Sequence, residues 1–172
     1  MDNAADKLAE VKTAKMKDCP ILTARKITPL ILQSWALACK RYMKHAEKTP
    51  DEIVSFVAEA MLEPRLVAWY QAEQIRIDAL TLEQYLEGLS KLVLEKNWAH
   101  KIRDMIISAK QGDRAFFDWK IEMENLNAIL TTSSKAHALT EEGLRIQLEA
   151  NLNTELKTNL FNEPHQEKGV WT

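Results

Sequence analysis

Phe116-Phe117-Asp118-Trp119-Lys120-Ile121-Glu122-Met123-Glu124-Asn125-Leu126-Asn127-Ala128-Ile129-Leu130 is the stretch on which the fold turns. Phe116, Trp119, Met123, Leu126 and Leu130 step by three, four, three and four. That spacing keeps side chains on one face of a helix with 3.6 residues per turn. It is the most regular helical stripe in the chain. Gln111-Gly112-Asp113 breaks the pattern just ahead of it, and Thr131-Thr132-Ser133-Ser134 ends it.

Downstream, Thr140-Glu141-Glu142 supplies a helix cap and two acidic side chains where a helix dipole favours negative charge. Leu144, Leu148, Leu152, Leu156 and Leu160 then step by four. On one straight helix that step overshoots by roughly 40° each time. Asn151 and Asn153 are therefore expected to divide the segment into two short helices. Residues 162–172, with Pro164, Gly169 and Trp171, are expected to form a flexible tail.

Upstream, Thr28-Pro29 reads as an N-cap followed by proline at the first helical position, with Leu32, Trp35, Cys39 and Tyr42 on one face. Thr49-Pro50-Asp51-Glu52 reads as a capping box. It opens a helix that carries Ile53, Val57 and Met61 and stops before Pro64. A helix with Leu66, Trp69 and Tyr70 follows. Thr81-Leu82-Glu83-Gln84 is a second box, ahead of Tyr85, Leu86, Leu89 and Val93. Trp98, Ile102, Met105 and Ile106 mark a fifth helix. Residues 1–27 are expected to be a flexible or frayed arm, since their first part mixes Lys with Asp or Glu and carries few large apolar groups.

The expected fold is all-α, without a sheet. It has two small helical lobes, 28–110 and 111–161, hinged at Gln111-Gly112. Trp35, Trp69, Tyr85, Trp98, Phe116, Trp119 and Leu130 are the expected core, because aromatic side chains on helical stripes bury large areas. A second lobe of that size is marginal alone, so its apolar faces call for a partner.

Composition narrows the function. Of 172 residues, 46% are hydrophobic and 28% charged, which suits a globular chain rather than a disordered one. Four glycines suit helices. No run approaches the roughly 18 apolar residues of a membrane span, and no apolar segment follows Met1. No membrane partner and a cytoplasmic location are expected. A net charge of −2 argues against coating nucleic acid by charge alone. Cys19 and Cys39 read as reduced thiols, with Cys39 packed as a small hydrophobe. No phosphate-binding glycine loop, His-Glu-x-x-His, Gly-x-Ser-x-Gly or aspartic-protease turn is present. His45, His100, His137 and His165 are scattered, and none stands at ligand spacing from a cysteine. Glu122 and Glu124 read as a solvated helix face. No catalytic residue, metal or cofactor is expected.

The order of features from about Ile27 to Leu160 resembles the Gag capsid region of gypsy-type long-terminal-repeat retrotransposons, especially fungal ones. Trp35 and Cys39 in the first helix carry the likeness. So do Leu66-x-x-Trp69 and Arg76-Ile77-Asp78-Ala79-Leu80-Thr81-x-x-Gln84-Tyr85-Leu86. Asn97-Trp98, Arg103-Asp104-x-Ile106, Phe116-Phe117-x-Trp119 and Glu124-x-Leu126-Asn127-x-x-Leu130 follow, and Leu144-Arg145-x-Gln147-Leu148-Glu149-Ala150 closes the set. Gln111-Gly112 with Phe116 and Trp119 is similar to the major homology region of retroviral capsids, though its acidic residue appears here as Ala115 and the spacing is one residue short.

The resemblance implies lobes like the N- and C-terminal domains of capsid proteins, and a glutamine that anchors a hydrogen-bonded turn. It implies a structural protein that self-associates into particles enclosing the element's RNA. No zinc knuckle or basic tail is seen, so RNA is expected to be contacted only indirectly or through a missing nucleocapsid segment. Two alternatives stand beside this: a domesticated Gag-derived adaptor for cellular proteins or peptides, and a truncated remnant that no longer assembles.

Overall fold

The computed structural model describes residues 7–162. The tail expected over 162–172 lies, from residue 163 on, outside the described residues, as do residues 1–6 of the expected arm. Within the described residues the chain is mostly helical: eight α-helices, a single 3-10 turn and one two-stranded sheet. It divides into two compact units, Met1–Trp98 and Ala99–Thr172.

The first unit opens with a hairpin. Strand β1 (Val11–Lys12) pairs antiparallel with β2 (Ile21–Leu22). Ala9 N–H donates to the Lys26 carbonyl at 2.8 Å, and Thr23 N–H to that of Glu10 at 2.9 Å. Leu22 then ties the hairpin to the helical body. Its N–H donates to Ala60 O at 3.0 Å, and its carbonyl accepts from Leu62 N at 2.9 Å. Ala9, Leu22 and Ile27 are buried in the core. The frayed arm and the absence of a sheet are therefore corrected for residues 7–27. A few well-placed apolar groups, with backbone pairing to a segment forty residues away, replace the missing large side chains.

Helix α1 (Pro29–His45) starts as expected, with the Thr28 hydroxyl accepting from Ile31 N–H and Pro29 in the first turn. Its buried face holds Leu32, Trp35, Cys39 and Tyr42. Helix α2 (Ile53–Ala58) begins later than the Thr49 box predicts. Glu52 does reach back to Thr49 N–H at 3.0 Å, but residues 49–52 form a turn rather than the first helical turn. Met61 is buried beyond the helix, where it bridges Leu22. Helix α3 (Pro64–Asp78) is capped by the Glu63 carboxylate, and Glu73 interrupts it with non-helical angles, φ −127° and ψ 26°. Helix α4 (Leu82–Val93) has the full reciprocal box between Thr81 and Gln84.

The second unit contains α5 (Trp98–Ser108) from its second residue on, α6 (Phe116–Ser133), a 3-10 turn at Lys135–His137, α7 (Glu141–Ala150) and α8 (Thr154–Asn162). The boundary therefore falls one helix earlier than the expected 110/111 division. Gln111-Gly112 is an internal turn of the second unit rather than a hinge between lobes. The break between α7 and α8 falls at Asn151–Asn153, as the leucine spacing predicts. Buried side chains of this unit include Ile102, Ile106, Trp119, Leu130, Leu144 and Leu148.

Candidate interaction surface

In the second unit, the turn ahead of α6 is built on Gln111, which is only 3% exposed. Its side-chain amide donates to Arg114 O at 3.0 Å, and its side-chain carbonyl accepts from Asn153 N at 3.0 Å. Its own backbone N–H donates to Asn151 O at 3.1 Å. One polar side chain thus satisfies the backbone of two segments some forty residues apart, which is how a buried amide avoids its desolvation penalty. Gly112 has φ +59°, a left-handed angle that glycine adopts without steric cost. Arg114 closes the turn from outside, donating to Lys110 O at 2.9 Å and to the Glu122 carboxylate at 2.5 Å. The hydrogen-bonded turn implied for Gln111 is present. Ala115 stands at the N-cap of α6 without a side-chain hydrogen bond.

Beyond this turn, α6 buries Trp119, Met123 and Leu130. Phe116, expected in the core, is half-buried and meets Trp119 edge-on with centroids 6.4 Å apart. Asn127, quoted above only as part of the resemblance and given no place in the core, is buried at the C-terminal half of the helix. It exchanges two hydrogen bonds with the Leu139 backbone, at 2.9 and 2.8 Å, and so fastens the chain that leads into α7.

The outer side of α6 is unexpected. Phe117 is 58% exposed and Ile121 53% exposed, so a helix apolar on its inner face is also apolar on its outer one. Met105, Ile107 and Ile146 are further exposed apolar side chains of this unit. Periodicity located the inner stripe because it is longer and more regular. The outer one is short and interrupted by Glu124, and burial alone separates the two.

In the first unit, Trp35, Tyr85 and Trp69 form an aromatic series. Trp35 and Tyr85 are buried and meet edge-on at 6.2 Å. Trp69 is half-buried and stacks on Tyr85 at 5.8 Å, with ring planes 4° apart. Its Nε1–H donates to the Glu73 carboxylate at 2.8 Å. Arg76 also donates to Glu73, and these hydrogen bonds hold its carboxyl below the usual carboxylate range. Beside this kink Ile75 is 92% exposed. Trp98, expected in a core, is half-buried at the start of α5.

Cys39 is buried and Cys19 half-buried, and neither forms a disulfide. His100 and His137 meet edge-on at 4.5 Å in the second unit, and the Ser134 hydroxyl lies 2.8 Å from His137 Nδ1. Among the described residues no group of three or more His, Cys, Asp or Glu is placed to hold a metal ion, and no helix is long and apolar enough to cross a membrane. Comparison with protein-family models, with curated proteins and with solved structures finds no match for the chain.

Proposed function

We propose that this chain is a non-catalytic structural protein of the retrotransposon Gag capsid kind, which self-associates into particles enclosing RNA. The observation that carries the reading is the turn at Gln111-Gly112. A buried glutamine there ties the entrance of a helix to the far end of a small unit, and an aromatic residue of that helix, Trp119, fills the unit's interior. This is the arrangement that the resemblance implies. The outward apolar side chains of α6 support self-association, because exposed apolar surface that serves no core is a common mark of an interface. RNA contact would be indirect, given the net charge of −2.

Sedimentation at rising concentration, with negative-stain microscopy of the heaviest fraction, tests the proposal. The expected result is concentration-dependent growth into closed particles. A chain that stays monomeric to the limit of its solubility would count against it. That result would favour the adaptor reading, for which the almost fully exposed Ile75 beside the α3 kink is the specific observation. A peptide or protein partner would then be expected to protect Ile75 from solvent.

A further inference from the structure

Charge is divided unevenly along the chain. Residues 7–48, which build the hairpin and α1, hold ten Lys or Arg and three Asp or Glu, a net of +7. Residues 49–172 hold thirteen and twenty, a net of −7, and Asp2 and Asp6 complete the total of −2. Within 7–48, Lys15, Lys17, Lys40, Arg41 and Lys44 are exposed, and none forms an ion pair among the described residues. Of the acidic side chains there, Glu10 is paired with Lys12, Asp18 is half-buried and Glu47 stands beyond the end of α1. The hairpin loop and the helix adjoin, since Lys15 and Met16 line one open pocket with Ala38 and Arg41. On α1, at about 100° per residue, Leu30, Leu37, Arg41 and Lys44 fall within roughly 60° of arc, opposite buried Trp35 and Cys39. Leu30 is 60% exposed and Leu37 44%, and Met16, between Lys15 and Lys17, is 59% exposed. One face of the first unit thus mixes unpaired cations with outward apolar side chains.

We propose that this face docks peripherally on a membrane that carries anionic phospholipids. The cations meet the headgroup phosphates and carboxylates, while Met16, Leu30 and Leu37 enter the boundary beneath them. Contact of this kind needs no helix that crosses the bilayer. Charge alone would fit a nucleic acid equally well, and the other side chains decide between the two. Single-stranded nucleic acid is held by aromatic side chains on which its bases stack. The only aromatic residues in 7–48 are Trp35 and Tyr42, and both are buried. Exposed Leu and Met among lysines offer a base nothing to stack on, but they lower their free energy in a lipid boundary. The helix dipole accounts for cations in the last turn of α1, such as Lys44. It does not account for Lys15 and Lys17 on the loop, nor for the apolar side chains between the charges. The surface lies wholly in the first unit, so this contact does not depend on the self-association proposed above.

The test is flotation of the full chain with vesicles of phosphatidylcholine and phosphatidylserine in a two-to-one ratio, beside vesicles of phosphatidylcholine alone. The chain should float with the first and not with the second, and added salt should release it. A basic residue near such a surface contributes about fivefold in binding, so Lys15→Glu with Arg41→Glu should weaken it roughly twentyfold or more. Lys91→Glu with Lys96→Glu makes the same change in net charge elsewhere in the first unit and should stay within about threefold of the parent. Met16→Ser with Leu37→Ser leaves the charge untouched and should weaken binding roughly tenfold. All these side chains are exposed, and thermal melts should show each variant folded. Absence of flotation with the phosphatidylserine vesicles would overturn the proposal, as would an equal loss in the Lys91 and Lys96 pair. If the serine pair binds vesicles as well as the parent does, or if polyuridylate at equal phosphate concentration displaces the chain from them, the face reads phosphate charge alone and the proposal falls. Sedimentation measures self-association separately, so either proposal can fail without the other.

Discussion

At the scale of single residues, the two most buried indoles differ in one atom's environment. Trp35 Nε1–H reaches the Pro20 carbonyl at 3.4 Å, while Trp119 Nε1 is buried without a hydrogen-bond acceptor. Trp119→Ala should cost roughly 3–5 kcal/mol, the usual penalty for emptying an aromatic site. That is a large share of what a small unit has, and melting followed by far-ultraviolet dichroism should show the loss. Trp119→Phe should cost only about 1–2 kcal/mol, because it removes an unsatisfied donor together with part of the ring. An equal loss for the two would mean that the indole nitrogen is satisfied in solution. The cysteines give a second check. Burial, then the neighbouring Glu59 carboxylate, push the Cys19 thiol up to about 11, and burial raises Cys39 further. A raised thiol stays protonated at neutral pH and gains nucleophilic thiolate only as pH climbs toward that value. Alkylation of the native chain near pH 8 should therefore be slow at Cys19 and slower still at Cys39. Rapid labelling of either would show that the first unit opens readily.

Among the elements, the turn before α6 and the face of α4 make the sharpest claims. Gln111→Ala removes both side-chain hydrogen bonds and leaves the half-buried Asn153 N–H without its acceptor, and should cost about 1–3 kcal/mol. Hydrogen exchange at Asn153 should accelerate more than at sites in the α4 region. On α4, a Cβ at Gly88 would lie 3.2 Å from the Trp69 ring. That ring is also stacked on Tyr85 and hydrogen-bonded to Glu73, so it has little freedom to retreat. Gly88→Ala should be close to neutral, since about 1 kcal/mol of helix propensity offsets the crowding. Gly88→Val should destabilise, with a change in Trp69 fluorescence. Much at this scale was legible in the sequence. Thr28-Pro29, Thr81 with Gln84, and Thr140 all cap the helices they were expected to cap, because a cap is a contact between near neighbours. The hairpin at Val11 and Leu22 was not, since its stability comes from carbonyls at residues 26 and 60 that no local pattern reveals. The start of α2 slipped because Pro50 suits a turn as well as a first helical position. For the candidate surface, Gln111 was legible as the anchor of a turn, whereas the outward Phe117 and Ile121 were not. A short apolar pair among charges looks the same in sequence whether it faces a core or the solvent.

For the molecule as a whole, the division at Trp98–Ala99 means that damage should stay local. Leu22→Asp places a charge in the core of the first unit and breaks its seat beneath Met61. Amides of α1–α4 should lose protection from exchange, and those of α6 and α7 should keep it. Uniform loss across the chain would argue that the two units fold as one. Leu22 also has a consequence in time. Its backbone partners are Ala60 and Leu62, and the core it enters extends to Leu89. During synthesis these arrive last, so at ~5–20 residues per second the N-terminal segment waits for several seconds with its apolar edge unfilled. The hairpin thus emerges well before the segments it packs against, and a holding chaperone has a window in which to act on the nascent chain.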